Sequence, residues 1–238
     1  MNKIAHIDLS QNQVSIKDIP EKLRRLYLGG RGINMYLLYN YMKKGVHPLS
    51  PGNAVIFGPG LLTGMHVIGA ARYNVSGRSP HSGLIGDSNA GGFFGPELRF
   101  AGFDHLMITG KAERPTYLWV HDGEIEFRDA SHLEDYTIPE TLAALREEMG
   151  DPNVQMAIIG PAGRRQVIFA NVMNSVVNAN GHTGMGAVMG SKNLWAVVVR
   201  GTQGLPVHDP QRLYEVFDRQ YRQVLGRKGF KANAFYGT

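Results

Sequence analysis

The chain carries the same order of segments twice, and this repetition limits what it can fold into more than any other feature. From Ala54 to Gly110 an apolar run ends in Gly58-Pro59. A second strand-like run follows, then an Asn/Gly-rich turn, a glycine-opened helix, and an apolar strand that ends in glycine. The order recurs from Met156 to Gly201, with Ile158-Ile159-Gly160-Pro161 at its head and Val197-Val198-Val199-Arg200-Gly201 at its tail. Self-similarity of this kind marks a duplicated unit whose copies bury their apolar faces against each other. The expected fold is therefore α+β, with two mixed β-sheets and helices related by a pseudo-two-fold axis. The equivalent glycine turns of the two units would then face one cleft between the halves, which suits a ligand that itself comes in two similar halves.

Local signals fill in the elements. Lys3–Leu9 and Val14–Ile19 read as a hairpin, followed by helices at Pro20–Leu28 and Ile33–Lys44. In the first unit, strands are predicted at Ala54–Phe57, Arg72–Ser76, Leu84–Ile85 and His105–Thr109, with a helix over Gly91–Phe103. Asp122-Gly123 between Thr116–His121 and Glu124–Arg128 is a strong hairpin signal. Thr137 with Glu140 forms a capping box for a helix that stops at Gly150. The second unit predicts strands at Val154–Ile159, Val167–Val172 and Trp195–Val199 and a helix over Gly184–Asn193. Beyond Gly204 the texture changes, and Asp209-Pro210 opens a charged amphipathic helix to about Leu225. Residues 1–206 are thus expected to form one domain and 207–238 the start of a truncated helical one.

Composition narrows the chemistry. Thirty of the 238 residues are glycine, well above the usual ~7% share. They lie in clusters between apolar runs, where turns or close backbone approach need them. Cysteine is absent, so this stretch holds no disulfide, thiolate zinc site, cysteine nucleophile or iron–sulfur cluster. The formal charge of +5 comes from scattered Lys and Arg. Without a basic stripe or aromatic stacking platforms, no nucleic-acid partner is expected. No apolar run reaches the roughly 20 residues that span a membrane, and the first residues enter a strand with no targeting segment. A cytoplasmic protein without a membrane partner is the expectation.

Two clusters could carry a ligand. Ser88-Asn89-Ala90-Gly91-Gly92 precedes one helix, and Asn174 to Gly186 precedes its counterpart. Small residues at a helix start leave backbone N–H groups uncovered, against which a phosphate or heteroaromatic edge can lie; the same glycines also serve plain helix–strand packing. Gly184-Met185-Gly186 with Gly190 misses dinucleotide spacing by one residue, and its strand ends in Arg200 rather than an acid. Gly190-Ser191-Lys192 reverses the Lys-Ser order of a phosphate loop. Arg72 stands between two turns, where its planar fork could bridge anionic oxygens, or serve as a surface ion-pair partner. The nine histidines form no HxH or HxxxH pair. No Ser-His-Asp or paired-carboxylate arrangement follows from spacing.

Beyond these features, several motifs resemble the aldehyde:ferredoxin oxidoreductase family in order along the chain. They are Leu28-Gly29-Gly30-Arg31-Gly32, Gly58-Pro59-Gly60-Leu61-Leu62-Thr63-Gly64, Arg72-Tyr73-Asn74-Val75 and the run from Asn89 to Asp104. Arg128-Asp129-Ala130-Ser131-His132, Ile159-Gly160-Pro161-Ala162-Gly163 and Gly186 to Leu194 complete the set. The resemblance implies an N-terminal domain that forms the base under tungstopterin, a tungsten atom (molybdenum in some members) held by two pterins, with magnesium linking their phosphates. By motif, Arg72 would lie between the pterins. Asn89, Ala90 and Gly91 would contact one, and Asn178, Ala179, Gly181 and His182 the other. The backbone carbonyls of Asn89 and Ala179 would face the magnesium. Where many members carry an arginine-bearing turn, this chain has Asn178 and His182, exchanging two positive charges for an amide and a titratable ring. The resemblance further implies oxidation of aldehydes to carboxylic acids, with a 4Fe-4S cluster in C-terminal helical domains, or a separate subunit carrying them, passing electrons to ferredoxin. It also implies a homo-oligomer. The isolated chain is expected to be inactive. The alternative is a standalone, non-catalytic pterin-binding or split-subunit scaffold.

Overall fold

The computed structural model describes residues 2–237. An antiparallel hairpin, β1 (Lys3–Asp8) and β2 (Gln13–Asp18), leads to helices α1 (Glu21–Tyr27) and α2 (Arg31–Tyr41). Strands β3 (Val55–Pro59), β4 (Tyr73–Arg78) and β5 (Ile85–Ala90) follow, then helix α3 (Phe94–Phe100) and strand β6 (His105–Thr109). They make a six-stranded sheet in the order β2-β1-β6-β3-β4-β5.

The second half rebuilds this plan. Hairpin β7 (Thr116–His121) and β8 (Glu124–Asp129) turns on Asp122 and Gly123, both at positive φ (38° and 99°), as a twist-matched two-residue turn requires. Helix α4 (Ile138–Met149) has the Thr137/Glu140 capping box and ends on Gly150 in the left-handed region. After it come β9 (Gln155–Ile158), the short helix α5 (Pro161–Arg164), β10 (Val172–Met173), β11 (Ala179–Asn180), α6 (Met185–Ser191) and β12 (Leu194–Arg200). The second sheet runs β11-β10-β9-β12-β7-β8. Read from the other edge it matches the first strand for strand, and the pairing senses agree: β1 with β6 and β7 with β12 are parallel, all other pairs antiparallel. The duplication is therefore larger than the segments at Ala54–Gly110 and Met156–Gly201. Each copy includes the preceding hairpin, whose divergent sequences conceal the match.

Two sequence readings are corrected. Of Val167–Val172 only Val172 enters a strand, β10; Gly160-Pro161 starts helix α5, and turns carry the chain to Val172, leaving Ile168 and Phe169 exposed. Apolar character there does not signal burial. Asn89 and Ala90 lie at the end of β5 rather than in a turn, because pairing with Asn74 and Tyr73 extends the ladder through them.

Helices α3 and α6 lie between the sheets, each touching strands of both, while α2 covers the outer face of the first sheet. One continuous core runs from Ala5 through Val199. Close approach explains particular glycines: a Cβ on Gly190 would sit 1.9 Å from Gly163 O, and one on Gly201 2.0 Å from Ala101 N.

Two cations tie the halves together. Lys192, fully buried, donates from Nζ to the carbonyls of Pro51 (3.2 Å), Asn53 (2.5 Å) and Gly110 (3.0 Å). Burial pulls its pKa down to about 7. Arg200 pairs with Glu97 of α3 at 2.8 Å and with Asp151 at 2.7 Å. Neither residue is placed to bind a nucleotide.

Helices α7 (Pro210–Leu225) and α8 (Phe230–Tyr236) contain no buried residue. Asp209 caps α7 through Arg212 N, and Phe217 rests on His66, with ring centroids 3.8 Å apart. Among the described residues no helix is long and apolar enough to cross a membrane.

Candidate functional site

The edge strands β5 and β11 meet where the two halves adjoin. Asn180 Nδ2 donates to Ser88 O at 3.0 Å, and His182 N to Ser88 Oγ at 3.3 Å. Asn174 Nδ2 donates to Gly91 O at 2.5 Å. Approach this close needs small residues: a Cβ on Gly86 would lie 2.6 Å from the Thr183 side chain. Gly92, at φ +84°, adopts the left-handed region beside the Asn174 and Asn178 amides.

These contacts bring the two candidate segments next to each other. Tyr73 pairs with Ala90, so Arg72, one residue before β4, stands beside the strand end that carries Asn89, Ala90 and Gly91. Asn178 and Ala179 are half-buried; Gly181 and His182 are exposed. A Cβ on Gly91 or Gly181 would meet its first neighbour only at 4.0 Å and 3.8 Å, so both glycines leave main chain uncovered rather than fill a packing gap. The Asn178 amide donates to Ser175 Oγ at 3.2 Å.

Arg72 is exposed, and its guanidinium makes no hydrogen bond or ion pair among the described residues. Its backbone is firmly held. The Arg72 carbonyl accepts from Thr63 Oγ1 at 2.7 Å and Gly60 N at 3.3 Å. Buried Arg99 in turn donates to the carbonyls of Leu61 and Thr63, both at 2.8 Å. The free charge thus stands on a fixed base. Beneath it the Tyr73 hydroxyl is buried against Asn174, and burial raises its pKa, which keeps the phenol neutral. Among the described residues no three His, Asp or Glu side chains gather to hold a metal ion.

The family model for the aldehyde ferredoxin oxidoreductase N-terminal domain matches residues 4–201. The chain belongs to this family. A tungsten-containing aldehyde ferredoxin oxidoreductase of Pyrococcus furiosus is 44% identical over 210 residues, covering 88% of this chain and 35% of that protein. The WOR-like subunit of an aliphatic sulfonate oxidoreductase from the same organism is 32% identical, covering 96% and 38%. Among solved structures, the active-site complex BamBC of benzoyl coenzyme A reductase superposes with a TM-score of 0.93 at 35% identity, over 95% of this chain and 35% of that one. The chain thus spans little more than a third of the length of the relatives it matches.

Sequence reasoning placed Ser88, Asn174 and Asn180 in its two candidate clusters without assigning them the joining of the two segments, and it did not single out Asn34 behind them. Asn34, Asn74, Ser76, Ser88, Asn174 and Asn180 are all buried, which no local pattern announces. Buried polar groups persist where they are hydrogen-bonded to one another.

Proposed function

We propose that residues 1–206 of this aldehyde ferredoxin oxidoreductase family member form the base of a bis-pterin tungsten or molybdenum site. The observation that carries the reading is the meeting of two equivalent Asn/Gly segments beside an arginine with no partner among the described residues. A ligand with two similar anionic halves would find uncovered main chain on both sides and a guanidinium between. Arg72 would bridge the two pterins through its planar fork. Asn89, Ala90 and Gly91 would hold one pterin, and Asn178, Ala179, Gly181 and His182 the other, with the Asn89 and Ala179 carbonyls turned to magnesium. The cofactor supplies the redox chemistry, and this domain binds and orients it.

Relatives named for aldehydes, sulfonates and benzoyl coenzyme A share this domain, so the substrate is chosen by other polypeptide. Aldehyde oxidation to a carboxylic acid is the reading that the 44% identical relative supports. The iron–sulfur cluster and contacts to ferredoxin would come from helical domains or a second subunit, since this chain has no cysteine. Exposed Phe93, Phe169, Val176 and Val177 flank the site. Uncovered hydrophobics of this size fit burial under such a domain better than a standalone scaffold. Residues 207–238 would begin that region.

The test is Arg72→Ala and Arg72→Lys in the full-length protein, with metal measured by elemental analysis and pterin by its fluorescence after oxidation. Alanine should lower both at least tenfold, the size of a lost charge-assisted contact. Lysine should lie between alanine and arginine. Full metal and pterin content in Arg72→Ala would overturn the assignment of Arg72.

A further inference from the structure

The side-chain orientation of Asn89 is set from inside the core. On the face of the first sheet that α2 covers, His105 of β6, Gly58 of β3, Asn74 of β4 and Asn89 of β5 form a row across four strands. Asn74 pairs with Gly58 on one side and with Asn89 on the other. Gly58 leaves a gap in this row: a Cβ there would lie 2.5 Å from both Asn34 Oδ1 and His105 Nδ1. Asn34 of α2 fills the gap and connects His105 to Asn74.

Groups that can only accept fix the polarity of each amide. The Asn34 atom facing the carbonyls of Ile56 (3.2 Å) and Asn74 (3.3 Å) must be Nδ2, and it also donates to Asn74 Oδ1 at 3.0 Å. Asn34 Oδ1 then faces His105 Nδ1 at 2.8 Å, so that ring nitrogen carries the proton. His105 is fully buried, and burial pulls its pKa down to about 3, so the ring stays neutral. The Asn74 atom facing Asp87 Oδ2 (3.0 Å) and Ser88 O (3.4 Å) is Nδ2 for the same reason. It donates to Asn89 Oδ1 at 3.2 Å. His105, Asn34 and Asn74 each donate toward β5. Asn89 therefore turns its carbonyl inward and its two N–H groups outward.

We propose that His105, Asn34 and Asn74 are positioning residues that make Asn89 a hydrogen-bond donor toward the ligand, so that the site selects an acceptor atom on the cofactor at this point. The inference rests on the reading that Asn89 faces the cofactor. A freely rotating asparagine would accept or donate with equal ease; a locked one discriminates, because an opposing donor would meet a donor and leave both without an acceptor.

The experiment compares Asn89→Ala, Asn89→Asp, Asn74→Ala and the Asn74→Ala/Asn89→Ala double variant in the full-length protein, reading pterin per chain. Asn89→Asp keeps the inward acceptor but removes the outward donor, so it should lose at least as much pterin as Asn89→Ala, about tenfold. Asn74→Ala should lose pterin too, and the double variant should lose no more than Asn89→Ala alone, since Asn74 acts through Asn89. Equal losses that add in the double variant would mean a merely structural Asn74 and overturn the proposal. Pterin lost in Asn89→Ala but kept in Asn89→Asp or in Asn74→Ala would overturn it while leaving the cofactor reading intact. Pterin unchanged in Asn89→Ala would instead overturn the placement of Asn89 at the cofactor. Neutron diffraction on the unmutated protein answers the orientation independently of folding effects. Deuterons on the outward atom of Asn89 support the proposal, and deuterons on the inward atom refute it.

Discussion

Replacing Lys192 by methionine keeps an unbranched side chain in a full cavity and removes only the ammonium. The Nζ now serves three carbonyls of the opposite half, those of Pro51, Asn53 and Gly110, at 3.2, 2.5 and 3.0 Å. In the variant Pro51 O keeps its bond from Gly110 N at 3.1 Å. The carbonyls of Asn53 and Gly110 lose the donor they share at a buried side chain. Each buried orphan costs about 1–3 kcal/mol, and relief from burying a charge returns part of that sum. The expected net loss is about 2–4 kcal/mol. For a chain of this size each kcal/mol moves Tm by about 2–4 °C, so Tm should fall by roughly 5–15 °C. Thermal unfolding followed by circular dichroism, with urea melts to give the free energy, measures both. Lys192→Arg should also destabilise, because the larger head must displace close-packed neighbours. A methionine variant within 1 °C of the parent would refute the view that this ammonium joins the halves.

Further outcomes follow from other buried groups. His105 has a folded-state pKa near 3, against about 6.5 in an unfolded chain. Its contribution is fully present above pH 6.5 and is lost as pH falls toward 3, by up to about 1.4 kcal/mol per unit. Urea unfolding at pH 7.5 and pH 5.0 should show this loss, and His105→Gln should reduce it. Gly190→Ala drives a Cβ to 1.9 Å from the Gly163 carbonyl, with backbone on both sides. It should cost more than about 3 kcal/mol in the same melts. Arg200→Ala leaves Glu97, 9% exposed, without its cation. A loss of about 2–4 kcal/mol is expected, and Arg200→Lys should recover only part of it, since one ammonium cannot serve Glu97 and Asp151 as the guanidinium fork does.

Local chemistry determined much of this protein. The Asp122-Gly123 hairpin, the Thr137–Glu140 capping box and the Asp209 cap were readable because each is set by residues a few positions apart. The repeated order of apolar runs and glycine clusters was readable too, since apolar periodicity survives divergence that erases residue identity. The same clusters marked both segments of the candidate site. Tertiary structure decided what depends on a distant partner. Whether Asn89 and Ala90 are turn or strand depends on Asn74 and Tyr73 across the ladder. Whether Val167–Val172 becomes a strand depends on a neighbour to pair with, and only Val172 finds one. Lys192 and Arg200, scattered charges in the sequence, are ties between the halves because carbonyls and carboxylates more than forty residues away close around them. The direction in which Asn89 offers its amide is also decided there. An amide has no preferred face of its own, and it acquires one only when a fixed acceptor three strands deep orders the row behind it.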